Sequence, residues 1–301
     1  MAAGAIAGCR DAGNAAPDAT ASTSAHPTAT ANASPDASPD ASPDASPGSA
    51  SGAAGRAQCR IMAGEGGPPP GADTTAWLDL PGKSNVTVRT IETGRELRYE
   101  GPGRVRACSG DVALVAEGSA VGLPGSGEAP GGELWVATAC GVARWAAGVH
   151  RFSAARDACI LHSSTGSMNL YVPSDMTAEE IVDGGAPLPV EAGAASAPWR
   201  RIDVRQSFLL KGRGPLDSAT ATKSALTACE RAAANVQSLS AGLTAPEAGT
   251  NPGNLAAESV AARGIARAAC AVAAVRVALG GSKSDDVARL DGASARWRAP
   301  R

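Results

Sequence analysis

The spacing of apolar residues changes once along this chain, near Pro215, and the two patterns demand different secondary structure. Before that point apolar and polar residues alternate. Val86 and Val88 are separated by Thr87 and followed by Arg89, and Leu97 and Tyr99 alternate with Glu96, Arg98 and Glu100. The same reading predicts strands at Trp77 to Leu80, Val105 to Ala107, Val112 to Ala116, Leu134 to Ala139, Val142 to Trp145, Val149 to Ser153, Cys159 to His162 and Met168 to Val172. Pro81-Gly82, Thr93-Gly94 and Gly101-Pro102-Gly103 read as turns between them. Short strands of period two with regular Gly punctuation predict an all-β sandwich or roll over residues 59–205. Aromatic residues make up only 3% of the chain, so its core must be built on Val, Leu and Ala.

After Pro215 the apolar residues recur at intervals of three and four. Leu226, Cys229, Ala233, Val236, Leu239 and Leu243 form one helical stripe, with Asp217 or Ser218 placed to cap it. Pro246, Gly249, Pro252 and Gly253 interrupt the pattern. A second helix is predicted from Asn254, with Leu255, Ala262, Ala266, Cys270, Ala273 and Val277 on one stripe and Ile265, Val272, Val275 and Leu279 beside it. Gly280-Gly281 ends it. Residues 215–281 should therefore form an antiparallel helical hairpin. Residues 282–301 read as a flexible, solvated tail, although Arg296-Trp297-Arg298 has the composition of a contact to anionic lipid or cell-wall polymer.

The N-terminal part has neither pattern. Ser34-Pro35-Asp36-Ala37 is followed by two further Ser-Pro-Asp-Ala units and a partial one, and such a repeat presents no face to bury. Residues 9–55 are thus expected to be a disordered tether, able to reach on the order of 100 Å if extended. It follows Ile6-Ala7-Gly8-Cys9, which resembles a bacterial lipobox with Cys9 as the acylated residue and residues 1–8 as the remnant of a signal peptide. That resemblance implies a lipid-anchored protein of the cell envelope. Arg10 after Cys9, in place of an aspartate, favours the outer membrane.

The chain has seven cysteines, an odd number. Lipidation of Cys9 leaves Cys59, Cys108, Cys140, Cys159, Cys229 and Cys270, enough for three disulfides in an oxidising compartment. The midpoint of Cys229 and Cys270 lies at 249.5, one residue from the centre of the loop Thr244 to Gly253. In an antiparallel hairpin these two residues lie level, and neighbouring alanines permit the close approach a disulfide requires. The other four allow three pairings, among which nearby strands favour Cys140 with Cys159.

No catalytic constellation emerges. Gly82-Lys83-Ser84 lacks the upstream glycine and following helix of a phosphate loop. His150, His162 and Cys159 form a conceivable metal triad, but two surface histidines and a disulfide cysteine are the simpler reading. Gly125-Ser126-Gly127 is a Gly-rich stretch without a nucleophile motif. Arg231, Arg263, Arg267 and Arg276 read as the wet face of the hairpin. A net charge of −2 gives no global field for nucleic acid. No cofactor and no metal are expected.

The run Leu134-Trp135-Val136-Ala137-Thr138-Ala139-Cys140-Gly141-Val142-Ala143-Arg144-Trp145, continuing through Val149-His150-Arg151-Phe152 to Leu170-Tyr171-Val172, resembles the FecR-like periplasmic domain. The resemblance covers roughly residues 77–175 and extends to the layout of FecR-domain lipoproteins: lipobox, Pro/Ala tether, β domain, Ala-rich hairpin. It implies a non-enzymatic β module that binds an envelope protein or a cell-wall component. Founding members relay a periplasmic signal to a cytoplasmic sigma factor. This chain departs from that plan, because no stretch approaches the roughly 18 to 20 apolar residues needed to span a bilayer. Either the hairpin or a sheet edge would supply the partner surface. The alternatives are an envelope enzyme with an unrecognised site and a purely structural spacer.

Overall fold

The computed structural model describes residues 59–90, 94–109, 112–124, 132–181, 188–190, 199–244 and 251–298. Cys9, His26, the tether and Gly125-Ser126-Gly127 lie outside them. The elements follow in the order β1 (Cys59–Glu65), β2 (Leu78–Leu80), β3 (Asn85–Thr90), β4 (Glu96–Ser109), β5 (Val112–Leu123), β6 (Leu134–Thr138), β7 (Gly141–Trp145), β8 (Gly148–Ala154), β9 (Ala158–Gly166), β10 (Met168–Tyr171), β11 (Met176–Ile181), β12 (Leu188–Val190), β13 (Trp199–Ile202), β14 (Ser207–Gly212), α1 (Ala219–Thr244), α2 (Pro252–Leu279) and α3 (Ser284–Arg298). The chain is mainly β, a curled sheet followed by helices.

The curl originates at β4 and β5. These two long strands pair antiparallel, but their register slips between Glu100 and Arg104. Gly101-Pro102-Gly103, expected to be a turn, lies inside β4. The reason is a matched pair of glycines. A Cβ on Gly118, which has φ 102°, would meet Pro102 O at 2.9 Å and Gly103 Cα at 3.0 Å. The two backbones cross too closely for any side chain, so both strands bend together rather than reverse. Beyond the bend β5 changes partner. Val112 to Val115 pair parallel with β6, while Gly118 to Gly122 pair antiparallel with β8. The sheet therefore divides at β5 into two wings, β6-β7-β10-β13 and β8-β9-β14-β11-β12.

The wings close over an apolar interior. Trp145 of β7 is 1% exposed and stacks on Phe152 of β8 at 5.3 Å. Its indole fills the space beside Gly122, where a Cβ would overlap the ring. His150 joins this cluster, with its ring 5.0 Å from that of Trp145. His150 is thus not a surface residue but fully buried. The ring donates from Nε2 to Ala147 O at 3.2 Å.

Burial holds the His150 pKa below its ordinary value of 6.5, and the bond to Ala147 opposes this only in part. Below pH 6.5 the unfolded chain therefore binds a proton at His150 more readily than the folded one does. The stability contributed by the neutral ring is full above that pH and is lost as the pH falls through the depressed value. The melting temperature should accordingly drop between about pH 7 and about pH 5, and His150→Phe should flatten that slope. An unchanged slope in the variant would assign the acid sensitivity to other groups.

The helices cover the outer face of one wing. α2 packs on β5, β6 and β7 and against α1 and α3. β6 is consequently buried along its whole length, with the interior on one side and α2 on the other. α2 is Ala-rich on every side for the same reason, since sheet and helices surround it. Ser218 Oγ accepts from Ala221 N at 3.2 Å at the start of α1, and Asn251 Oδ1 accepts from Gly253 N at 2.9 Å at the start of α2.

Two expectations for this region fail. Residues 282–301 are not simply a loose tail, because 284–298 form α3, whose Ala293 and Trp297 are buried one turn apart. Asp285 and Asp286 stand in its first turn and Arg296 and Arg298 in its last, as the helix dipole favours. Arg289 reaches from α3 to Glu230 of α1 with two bonds of 2.9 Å. The second failure is Arg276, placed on a wet face by the sequence but 0% exposed. Its NH1 and NH2 donate to the carboxylate of Asp175 at 2.5 and 3.1 Å, its Nε to Ala139 O at 2.9 Å, and NH1 also to Ala221 O at 3.2 Å. One guanidinium thereby ties α2 to the β6–β7 turn, to the β10–β11 loop and to α1.

Candidate binding face

The six described cysteines form three disulfides. Cys59 pairs with Cys108, Cys140 with Cys159 and Cys229 with Cys270, at Cα separations of 6.1, 6.0 and 4.5 Å. The first joins β1 to the end of β4, the second joins the two wings, and the third clamps α1 to α2. Cys159 is therefore committed to sulfur, and among the described residues no group of three His, Cys, Asp or Glu could hold a metal. His162 faces Ser207 instead, Nδ1 to Oγ 2.7 Å. Ser84 donates to Pro81 O at 2.6 Å and closes a turn, so Gly82-Lys83-Ser84 has a local structural use.

The arrangement with the most recognition chemistry lies on the outer face of the wing β6-β7-β10-β13. Register brings Trp135 opposite Arg144, and Tyr171 opposite Trp199. Residues two apart share a face, so Trp135, Arg144, Tyr171 and Trp199 project to one side. Trp199 meets Trp135 edge to face with ring centres 5.5 Å apart and lies 5.5 Å from Tyr171. The Arg144 guanidinium lies over both indoles, 4.6 Å from the Trp199 ring and 5.4 Å from that of Trp135. Arg267 of α2 also lies over the Trp135 ring, at 4.7 Å. Glu133 fixes Arg144 from the start of β6 at 3.4 Å.

These contacts hold a polar-edged cluster of crossed aromatic rings in one arrangement. Trp135 and Tyr171 are buried, while Trp199 and Arg144 remain half-exposed. β13, which carries Trp199, is the last strand of its wing and pairs only with β10 among the described residues. Among the described residues no strand covers its other edge, whose main-chain donors and acceptors lie beside the aromatic face. The hairpin offers less, because its apolar stripes are spent on the sheet and on α3.

Sequence reasoning did not single out Trp199 or Arg144. The available signal was parity: Trp135 and Arg144 occupy facing positions of a predicted hairpin. Trp199 could not be added, because its strand follows a Gly/Ala/Pro-rich stretch with no alternation.

No protein-family model matches this chain, and no curated protein sequence matches it. Two solved structures, each of a candidate anti-sigma factor from Parabacteroides distasonis, are distantly similar. The first, at 1.65 Å resolution, shares 12% identity over 46% of this chain and 57% of its own, with a TM-score of 0.32. The second, at 2.50 Å, shares 15% identity over 46% of this chain and 52% of its own, with a TM-score of 0.25. The chain thus matches little more than half the length of either.

Proposed function

We propose that this protein is a lipid-anchored, extracytoplasmic FecR-like module that binds an envelope partner and does not catalyse a reaction. The observation that carries the reading is the combination of a disulfide-stapled domain with a strand edge, unpaired among the described residues, bordered by aromatic and arginine side chains. Three disulfides persist in an oxidising compartment, which favours the periplasm or cell surface. Lipidation at Cys9 would fasten the domain there, with the tether setting its reach.

The edge of β13 suits an extended segment of a partner protein. Main-chain bonds would add a strand, and the Trp199–Arg144 cluster would receive its side chains. Trp and Arg are the residues that dominate such interfaces.

Site-specific photocrosslinking in intact cells tests this. A photoreactive residue at Arg201, exposed on β13, should give a discrete protein adduct, whereas one at Arg231, exposed on α1, should not. Trp199→Ala or Arg144→Ala should weaken the adduct by about tenfold or more, the cost of removing an interface anchor. Equal labelling from both positions, or an adduct indifferent to both substitutions, would remove β13 as the binding edge.

A further inference from the structure

A second polar site lies on the same side of the molecule, where α3 closes over the ends of β4 and β5. Arg106, Ser109, Arg267, Asp291, Ser294 and Arg298 supply its polar lining, and Leu114, Cys270, Leu290 and Trp297 are among its apolar walls. The cavity measures about 120 Å³, roughly ten times what one water requires.

Arginines outnumber carboxylates in its lining. Arg106 of β4, Arg267 of α2 and Arg298 of α3 stand with one carboxylate, Asp291. Arg106 is poorly compensated. It is half-buried, its Nε is shut off from solvent without a hydrogen-bond partner, and it forms no ion pair with a described residue. Burial, followed by the charge of Arg298, pushes its pKa below the ordinary arginine value, and Asp73 and Asp291 restore less than these remove. Trp297 is 8% exposed, and its indole N–H has no partner either. Arg298 is steadied by stacking over that indole at 5.1 Å, and Arg267 by its contact with Trp135. α3 turns its C-terminal end to this region, where the helix dipole disfavours anions. Any anion held here is therefore held by the arginines.

We propose that this cavity is a binding site for a single phosphate group, gripped by Arg106 and Arg298. Guanidiniums match phosphate through paired N–H donors, and two together favour a multiply charged oxyanion over chloride. The phosphate would come either free, as inorganic phosphate or a small phosphomonoester, or from an anionic lipid headgroup. Arg267 in its lining also belongs to the aromatic cluster, but neither Arg106 nor Arg298 does.

Calorimetric titration of the full-length, disulfide-bonded protein with inorganic phosphate, against chloride at equal ionic strength, tests the first source. Flotation of the Cys9→Ser protein, which lacks the lipid acceptor, with phosphatidylglycerol vesicles against pure phosphatidylcholine vesicles tests the second. Arg106→Gln and Arg298→Gln should each weaken whichever binding is seen by about tenfold or more. Arg298 is exposed, so its substitution retains the fold if that of Arg106 does not. Phosphate binding alone identifies a free ligand, and vesicle binding alone identifies a headgroup. The absence of both, or binding that survives both substitutions, overturns the proposal.

Discussion

Replacing Cys229 and Cys270 together by alanine should lower the stability of the oxidised protein by about 4 kcal/mol. The bridge closes a loop with a sequence separation of 41, and releasing a loop of that length frees the unfolded chain by this amount in the chain-entropy model. The two Cα atoms are 4.5 Å apart in a seam of alanines, so the substituted side chains leave little void. For a domain of this size the loss corresponds to a fall in melting temperature of roughly 8–16 °C. Calorimetry of the variant under non-reducing conditions measures it. A fall equivalent to under about 1 kcal/mol would mean that helix packing alone sets the register of α1 against α2. Cys140 and Cys159, 19 residues apart, should contribute somewhat less by the same reasoning, about 3 kcal/mol.

Asp175→Ala should cost about as much, for a different reason. It strands the Arg276 guanidinium, 0% exposed, with only the carbonyls of Ala139 and Ala221 to receive its N–H groups. Removing one partner of a buried ion pair typically costs about 3–5 kcal/mol. Arg276→Met should cost less. The carboxylate it leaves behind is 29% exposed and can take up water, and methionine fills much of the space. Combining Arg276→Met with Asp175→Asn should recover much of the stability lost by Asp175→Ala. Denaturant unfolding of the three variants gives the ranking. If Asp175→Ala proved the mildest of them, the pair would not be the junction between α2, the sheet and α1.

The features legible in the sequence are those whose cause is local. Alternation at Val86 and Val88, or at Leu97 and Tyr99, reports a strand with one face in the core, and the structure places β3 and β4 there. The two stripes on α2 foreshadow its two neighbours: Cys270 faces α1, and Val272 and Val275 are buried with it. β11 and β14 were not among the strands expected. Glu179 and Glu180 of β11 are only half-buried, so Met176–Ile181 has no strict alternation, and its strand character comes from pairing with β12 and β14. α3 was hidden because it buries little more than Ala293 and Trp297 and carries Gly292 at its centre. Arg276 shows the limit most plainly. A charge in the run Ala273-Ala274-Val275-Arg276-Val277 reads as solvated until Asp175, 101 residues away, comes to meet it. The binding face has the same character: Trp135, Arg144 and Trp199 acquire their relation only through the order of the strands.

The proposed function requires the mature chain to reside outside the cytoplasm in a lipidated, disulfide-bonded state. Mass spectrometry of the intact protein from its native cells, with and without reduction, addresses this directly. The predicted species begins at an acylated Cys9 and gains six hydrogens on reduction, two for each of the three disulfides. A chain that retains Met1 without lipid and whose mass does not change on reduction would contradict it.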